Sequence, residues 1–201
     1  MPHRFAQRSS TASFTLIELL IVIGILGVLA AAVVVVLNPI ELLKQGRDGR
    51  RVSEIQSLSH AVKDALLNSI SLGTSNTVYV SLPDVSSTCN NLSLPALPSG
   101  WSYRCIVAAN LQKVDGTGWL PINLTTLPGG SPLATLPIDP ENNASSTLYY
   151  TYAVGSGNTY ELTDLMESKK YASLQATDGG PDMAMYEAGS NLAISPFLHG
   201  L

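Results

Sequence analysis

The sequence is poor in the residues from which enzyme active sites are usually built. Its 201 residues include only three histidines and two cysteines, and 13% of them are charged. The spacings C-x-x-C, H-E-x-x-H, G-x-x-x-x-G-K-[ST] and G-x-S-x-G do not occur. His60 falls in a helical amphipathic stretch, where we predict a surface residue. The sequence therefore indicates no catalytic residue, no cofactor and no metal centre.

Basic residues are also too few to suggest a nucleic-acid-binding protein. The chain has 11 lysines and arginines against 15 acids, a net charge of −4. Removing residues 1–13, which contain Arg4 and Arg8, leaves 9 basic residues and a net charge of −6. An acidic surface provides no electrostatic attraction for a phosphate backbone.

A long apolar run follows the polar, basic first 13 residues. From residue 14 to residue 37 the only polar side chains are Thr15 and Glu18. As a helix this run extends about 36 Å, enough to cross a hydrocarbon core of about 30 Å. A secretory signal has a shorter apolar region followed by a small-x-small cleavage site, and a core helix rarely lacks a polar face. The run predicts a single membrane-spanning helix.

Glu18 is unusual because a carboxylate near the start of a membrane helix costs roughly 2–3 kcal/mol on insertion scales. It either extends to the membrane interface or has a functional role. The segment from Ser13 to Leu20, SFTLIELL, resembles the cleavage and methylation signature of type IV prepilins and of type II secretion pseudopilins. The resemblance covers residues 8–37. The family usually has glycine before the cut, and here the small residue Ser13 takes that place.

This resemblance implies a processing route and a set of partners. A prepilin peptidase would cut between Ser13 and Phe14 and methylate the new amine of Phe14. The chain would lie in the inner or cytoplasmic membrane with its head exported, and it would assemble with copies of itself and other pilin-like subunits on an inner-membrane platform. Glu18 would attract the Phe14 amine, either within one helix or between neighbouring subunits during assembly.

Three functions are compatible with these features. The first is a structural subunit of a type IV pilus-like surface filament, which we predict. The second is a pseudopilin of a type II secretion system, which shares the whole N-terminal signature. The third is a membrane-anchored enzyme or binding module, for which the sequence offers no catalytic constellation.

Changes in composition predict four segments: a leader at 1–13, a transmembrane and assembly helix at 14–37, an amphipathic helical continuation at 38–72, and a β-rich head at 73–201. Asn38-Pro39 predicts a break, and Gly46 and Gly49 weaken the following helix, so we predict a hinge between 38 and 49. The apolar stripe of the continuation recurs at helical spacing. A basic cluster beyond the apolar run comprises Lys44, Arg47, Arg50 and Arg51. Its charge favours contact with lipid headgroups and opposes export by the positive-inside rule.

The sequence of the head predicts short strands separated by proline-rich and glycine-rich loops. The predicted strands are 77–82, 101–107, 148–154, 159–165 and a shorter one at 183–187, and Gly155-Ser156-Gly157-Asn158 predicts a hairpin between the third and fourth. The fold class is therefore α+β, a long N-terminal helix packed on a small antiparallel sheet, as the pilin resemblance also implies.

The two cysteines, Cys89 and Cys105, lie in the head. An even count in an exported chain predicts one disulfide, and a loop of about 15 residues closed in this way gains roughly 3 kcal/mol in the entropy model. The alternative is a pair of free buried thiols.

Asp178 and Asp182 flank Gly179-Gly180-Pro181. Major pseudopilins carry a calcium site in their C-terminal loops, and these two carboxylates are candidate ligands, although two acids on a Gly-Pro segment are more often only a turn.

Overall fold

The computed structural model describes residues 14–194, so the predicted leader at 1–13 lies outside the described residues. The chain divides into two compact units, Met1–Leu42 and Leu43–Leu201. We call the second of these the folded unit.

The first unit contains the helix α1, Leu16–Leu37, which has no buried residue. Its C-cap is Asn38, whose backbone is left-handed with a φ of 41°. Proline follows at once and begins the next helix, where its missing N–H is not needed. The break predicted at Asn38-Pro39 is therefore present. By length and composition alone, the segment Leu16–Leu67 contains the one described helix that is apolar enough to cross a membrane.

The helix α2, Pro39–Leu67, passes through Gly46 and Gly49 without interruption. Within the range of the hinge predicted between 38 and 49, the structure has one helix interruption, at residue 38. Each glycine disfavours the helix by roughly 1 kcal/mol, and packing of the helix against the rest of the folded unit outweighs this cost. From Leu43 onward this helix belongs to the folded unit, and its buried side chains there include Ile55, Leu58, Ala61, Val62 and Ala65.

A five-stranded sheet forms the centre of the folded unit. Its strands are β1 (Thr77–Pro83), β2 (Ser102–Ile106), β3 (Thr151–Val154), β4 (Tyr160–Asp164) and β5 (Tyr186–Gly189), and a short helix α3 (Lys169–Gln175) lies between the last two. The order across the sheet is β2-β1-β3-β4-β5.

The predicted α+β fold is confirmed, with one difference in the sheet. β1–β3, β3–β4 and β4–β5 are antiparallel, as predicted, but β2 runs parallel to β1. A parallel pair needs a crossover connection, and the loop of residues 84–101 makes it. The fifth strand begins at Tyr186 rather than at residue 183.

The two faces of the sheet carry separate apolar cores. One face packs on α2 through residues such as Tyr152 and Leu162, and the same core includes Trp119 from a loop. The other face includes Val78, Val80 and Ala153 and is covered by the loop that the disulfide closes. The predicted Cys89–Cys105 disulfide is confirmed, with both residues buried and their Cα atoms 5.3 Å apart. It ties the crossover loop to β2.

Candidate functional site

The start of α1 is a reciprocal capping box formed by Thr15 and Glu18. The backbone N–H and the hydroxyl of Thr15 each donate to Glu18 Oε2 at 2.8 Å. The backbone N–H of Glu18 donates in return to Thr15 Oγ1 at 3.3 Å. Phe14, immediately before the cap, is 85% exposed.

This geometry gives Glu18 two separate properties. Its carboxylate satisfies a backbone donor that the first turn of a helix otherwise leaves unpaired, and it retains a negative charge that a cation can pair with. Of these two properties, only the charge was predicted from the sequence. The T-x-x-E spacing that predicts the cap was readable from Thr15 to Glu18.

Comparison with protein-family models places the same segment in a known motif. Residues 8–34 match the prokaryotic N-terminal methylation motif. The chain carries a prepilin-type N-terminal methylation motif. This is consistent with the type IV pilin and pseudopilin family, a family of structural proteins, as the resemblance implied. No curated protein and no solved structure matches the chain.

The methylation motif and the apolar helix together fit a membrane-anchored pilin-like protein. The motif ends at residue 34, before the folded unit begins. The match tests neither processing nor assembly. Leader cleavage at Ser13 and Phe14, methylation of Phe14 and an assembly role for Glu18 stay predictions.

The basic cluster beyond the apolar helix is largely neutralised by acids of the folded unit. Arg47 Nε lies 2.6 Å from Glu167 Oε2, and Arg50 Nε lies 2.7 Å from Glu54 Oε1. Arg51 is fully buried among carboxylates. Because three of the four cations already have partners, the cluster presents far less charge to lipid headgroups than its sequence indicates.

Arg51 is the centre of a buried ion network that sequence analysis missed. Its guanidinium holds Asp139 through two hydrogen bonds, 2.5 Å from Nε to Oδ2 and 3.0 Å from Nη2 to Oδ1. Its Nη1 donates to Asp48 at 2.9 Å and to Glu167 at 2.6 Å. These acids come from α2, from the loop before β3 and from the loop after β4, so one side chain joins three parts of the folded unit.

Two acids of this network have pKa values that are shifted in opposite directions. The hydrogen bond from Arg47 lowers the pKa of Glu167 to about 2, against the opposing effect of burial. Burial raises the pKa of Asp164 well above its ordinary value, although Arg51 Nε lies 3.4 Å away. Asp48 in turn accepts the backbone N–H groups of Glu167 and Ser168. The network therefore orders the backbone as well as balancing charge.

The C-terminal acids form a hydrogen-bonded turn. Asp178 accepts the N–H groups of Gly180 and Glu187, and Asp182 accepts the N–H of Ala184. Glu187 accepts the N–H of Asp182. Within residues 14–194 no group of three or more histidine, cysteine or acidic side chains is arranged to hold a metal ion. Asp178 and Asp182 therefore both act as hydrogen-bond acceptors within this turn.

We expect the buried pair of Glu187 and Glu161 to make the stability of the folded unit depend on pH. Burial, together with a hydrogen bond to Glu161, raises the pKa of Glu187 from 4.5 to about 8. Between these values the folded state keeps a proton that the unfolded state releases, so stability falls as pH rises. We expect Glu187→Gln to make the fall in the free energy of unfolding from pH 5 to pH 8.5 shallower, because the amide keeps an acceptor and cannot ionise. Urea titration of the full chain in detergent, followed by Trp119 fluorescence, measures both slopes.

The control is Asp64→Asn, which removes one acid from an exposed position of α2. It should leave the wild-type slope unchanged. Equal slopes in wild type and Glu187→Gln would show that the two glutamates do not share a proton in the folded state.

Proposed function

We propose that this chain is a structural subunit of a type IV pilus-like surface filament, assembled through α1 after its leader is removed. The observation that carries this proposal is the methylation motif at residues 8–34, which includes most of an apolar helix without a buried residue. A helix of this kind in water would be unfavourable, so it needs lipid before assembly and other helices after it.

Each segment of the chain has one role in the proposed order of events. The prepilin peptidase removes residues 1–13 and methylates Phe14, residues 14–37 remain in the membrane, and the exported head follows on the other side. The disulfide supports export, because such bonds persist in oxidising compartments. Copies of the chain, other pilin-like subunits and an inner-membrane platform are the partners of the assembly step.

Processing between Ser13 and Phe14 is the first expected result. N-terminal sequencing and mass spectrometry of membrane-extracted protein should find a chain that begins at Phe14 and carries a methyl group on its amine. Ser13→Gly, which restores the usual residue before the cut, should be processed at least as completely. A chain that begins at Met1, or one cut after the apolar run, would contradict the proposed leader.

Imaging of cells that lack the gene tests the filament itself. Loss of surface filaments, restored by the wild-type gene, supports a pilus subunit. Intact surface filaments together with a loss of protein secretion would assign the chain to a secretion pseudopilus instead.

A further inference from the structure

An open cleft of about 380 Å³ lies on the folded unit beside the edge strand β2. Its walls include neighbouring positions of β1 and β2 and the loop that contains Gly116, Gly118 and Pro121. Its volume lies within the range of about 300–1,000 Å³ for small-molecule sites. The cleft does not involve the methylation motif or α1.

Hydrogen-bond donors line the cleft, and no acidic residue does. Arg104 lies opposite Tyr79 in the parallel register of β2 and β1, and Ser102 lies opposite Thr77. Partners in a parallel register project to the same side of the sheet, so these four side chains share one face. Among the described residues that line the cleft, none is an aspartate or a glutamate.

Arg104 differs from the other arginines that the structure describes. Arg47, Arg50 and Arg51 each form an ion pair with an acid, whereas Arg104 has no such partner within residues 14–194. On a chain of net charge −4, an unpaired guanidinium in a cleft without carboxylates is a local site for an anion.

Tyr79 adds a second, buried donor. The residue is only 6% exposed, and its hydroxyl oxygen accepts the backbone N–H of Thr74 at 3.0 Å. Its own O–H proton has no acceptor among the described contacts of the chain. A buried hydroxyl that retains a free proton is a place for an acceptor atom of a ligand.

Two glycines near the cleft lie where a side chain would clash with neighbouring atoms. A Cβ at Gly118 would lie 2.1 Å from the carbonyl oxygen of Lys113 and 2.6 Å from Leu136 Cδ1. Gly73, with a φ of +116°, has Pro121 and the Tyr79 hydroxyl so close that a Cβ would meet them at 2.8 and 3.0 Å. Glycine at these two positions therefore permits close packing beside the cleft, including the approach of Pro121 to Tyr79.

We propose that this cleft binds a carboxylate-bearing small molecule no larger than a single sugar acid. The Arg104 guanidinium binds the carboxylate through two parallel hydrogen bonds. The Tyr79 hydroxyl and the Ser102 hydroxyl bind the remaining oxygens. A single cation matches one negative charge, which favours a carboxylate over a phosphate dianion.

Isothermal titration of the full chain in detergent with glucuronate, and with glucose as the uncharged probe of the same ring size, tests the proposal. We expect saturable binding of glucuronate in the millimolar range and none of glucose. Arg104→Gln should weaken glucuronate binding at least tenfold, and Tyr79→Phe should weaken it roughly threefold to tenfold, as loss of a buried hydrogen bond does. Lys113→Gln removes the same charge from an exposed residue outside the cleft, so it should bind as wild type does.

A polymeric probe distinguishes the source of the carboxylate. Tighter binding of polygalacturonate than of glucuronate per uronate unit, lost in Arg104→Gln, assigns the cleft to an acidic polysaccharide, and equal binding assigns it to a free acid. Circular dichroism of each variant confirms that it is folded. Absence of saturable glucuronate binding, or equal binding by folded Arg104→Gln and wild type, would overturn the proposal.

Discussion

Replacing Arg51 with methionine is expected to remove about 3–5 kcal/mol from the free energy of unfolding. Methionine has a similar length and no charge, so it leaves the surrounding carboxylates without their cation. Asp48, Asp139 and Asp164 are almost completely buried around it, and an uncompensated charge in that environment is strongly unfavourable. Since domains of this size are stable by about 5–15 kcal/mol, the folded unit should lose much or all of its stability.

Arg50→Met is the matched control, because it makes the same substitution one residue away. The Arg50 side chain is 58% exposed and pairs with Glu54 across one helical turn. Exposed pairs of this kind contribute about 0–1 kcal/mol. Urea unfolding of the full chain in detergent, followed by tryptophan fluorescence, to which the buried Trp119 contributes, compares the two variants directly.

A double variant keeps the Arg51 prediction testable if the single variant does not fold. Asp164→Asn in the Arg51→Met background removes one buried acid, so it should recover part of the lost stability. If Arg51→Met instead unfolds within 1 kcal/mol of wild type, the network does not stabilise the fold as its geometry indicates.

Glu18→Ala is expected to abolish filament formation while leaving the protein in the membrane and its head folded. Insertion should be at least as favourable as in wild type, because a carboxylate inside a membrane helix costs roughly 2–3 kcal/mol on insertion scales. The head should fold because the chain forms two compact units and Glu18 lies in the first of them. What the variant loses is an anion that the amine of Phe14 on another subunit can pair with.

The capping box at Thr15 makes a sharper comparison possible. Glu18→Gln keeps an acceptor that Thr15 can reach and removes the charge, since glutamine serves at this position of a capping box as glutamate does. If assembly needs the charge, Glu18→Gln loses filaments as Glu18→Ala does. If it needs only the helix cap, Glu18→Gln keeps them, and the pairing mechanism is refuted.

Membrane level, resistance of the head to protease and filament yield should be measured together for both Glu18 variants. Stable membrane protein without filaments supports pairing between subunits. Normal filament yield in Glu18→Ala would mean that the acid only extends to the membrane interface, and loss of the protein from the membrane would assign it a role in insertion.

Much of the N-terminal part was predictable because its signals are local. The apolar run, Glu18 and the SFTLIELL signature occupy consecutive positions, and no distant residue changes what they indicate. The break at Asn38-Pro39 is equally local, since proline restricts its own backbone and that of its neighbour. Gly46 and Gly49 do not interrupt α2, because packing of this helix in the folded unit offsets the weak helix propensity of glycine.

The sequence by itself determined the α+β class, the strand regions of the sheet, the long apolar helix that begins near residue 14 and the pairing of Cys89 with Cys105, for which no other cysteine competes. Only the tertiary structure decided that β2 runs parallel to β1 and that Arg51 is buried while Arg50, beside it, is exposed. It also decided that Arg104 remains unpaired in a cleft beside Tyr79. Strand direction and charge pairing join residues far apart in the chain, such as Arg51 and Asp139, and local patterns of propensity and hydropathy carry no information about such distant contacts.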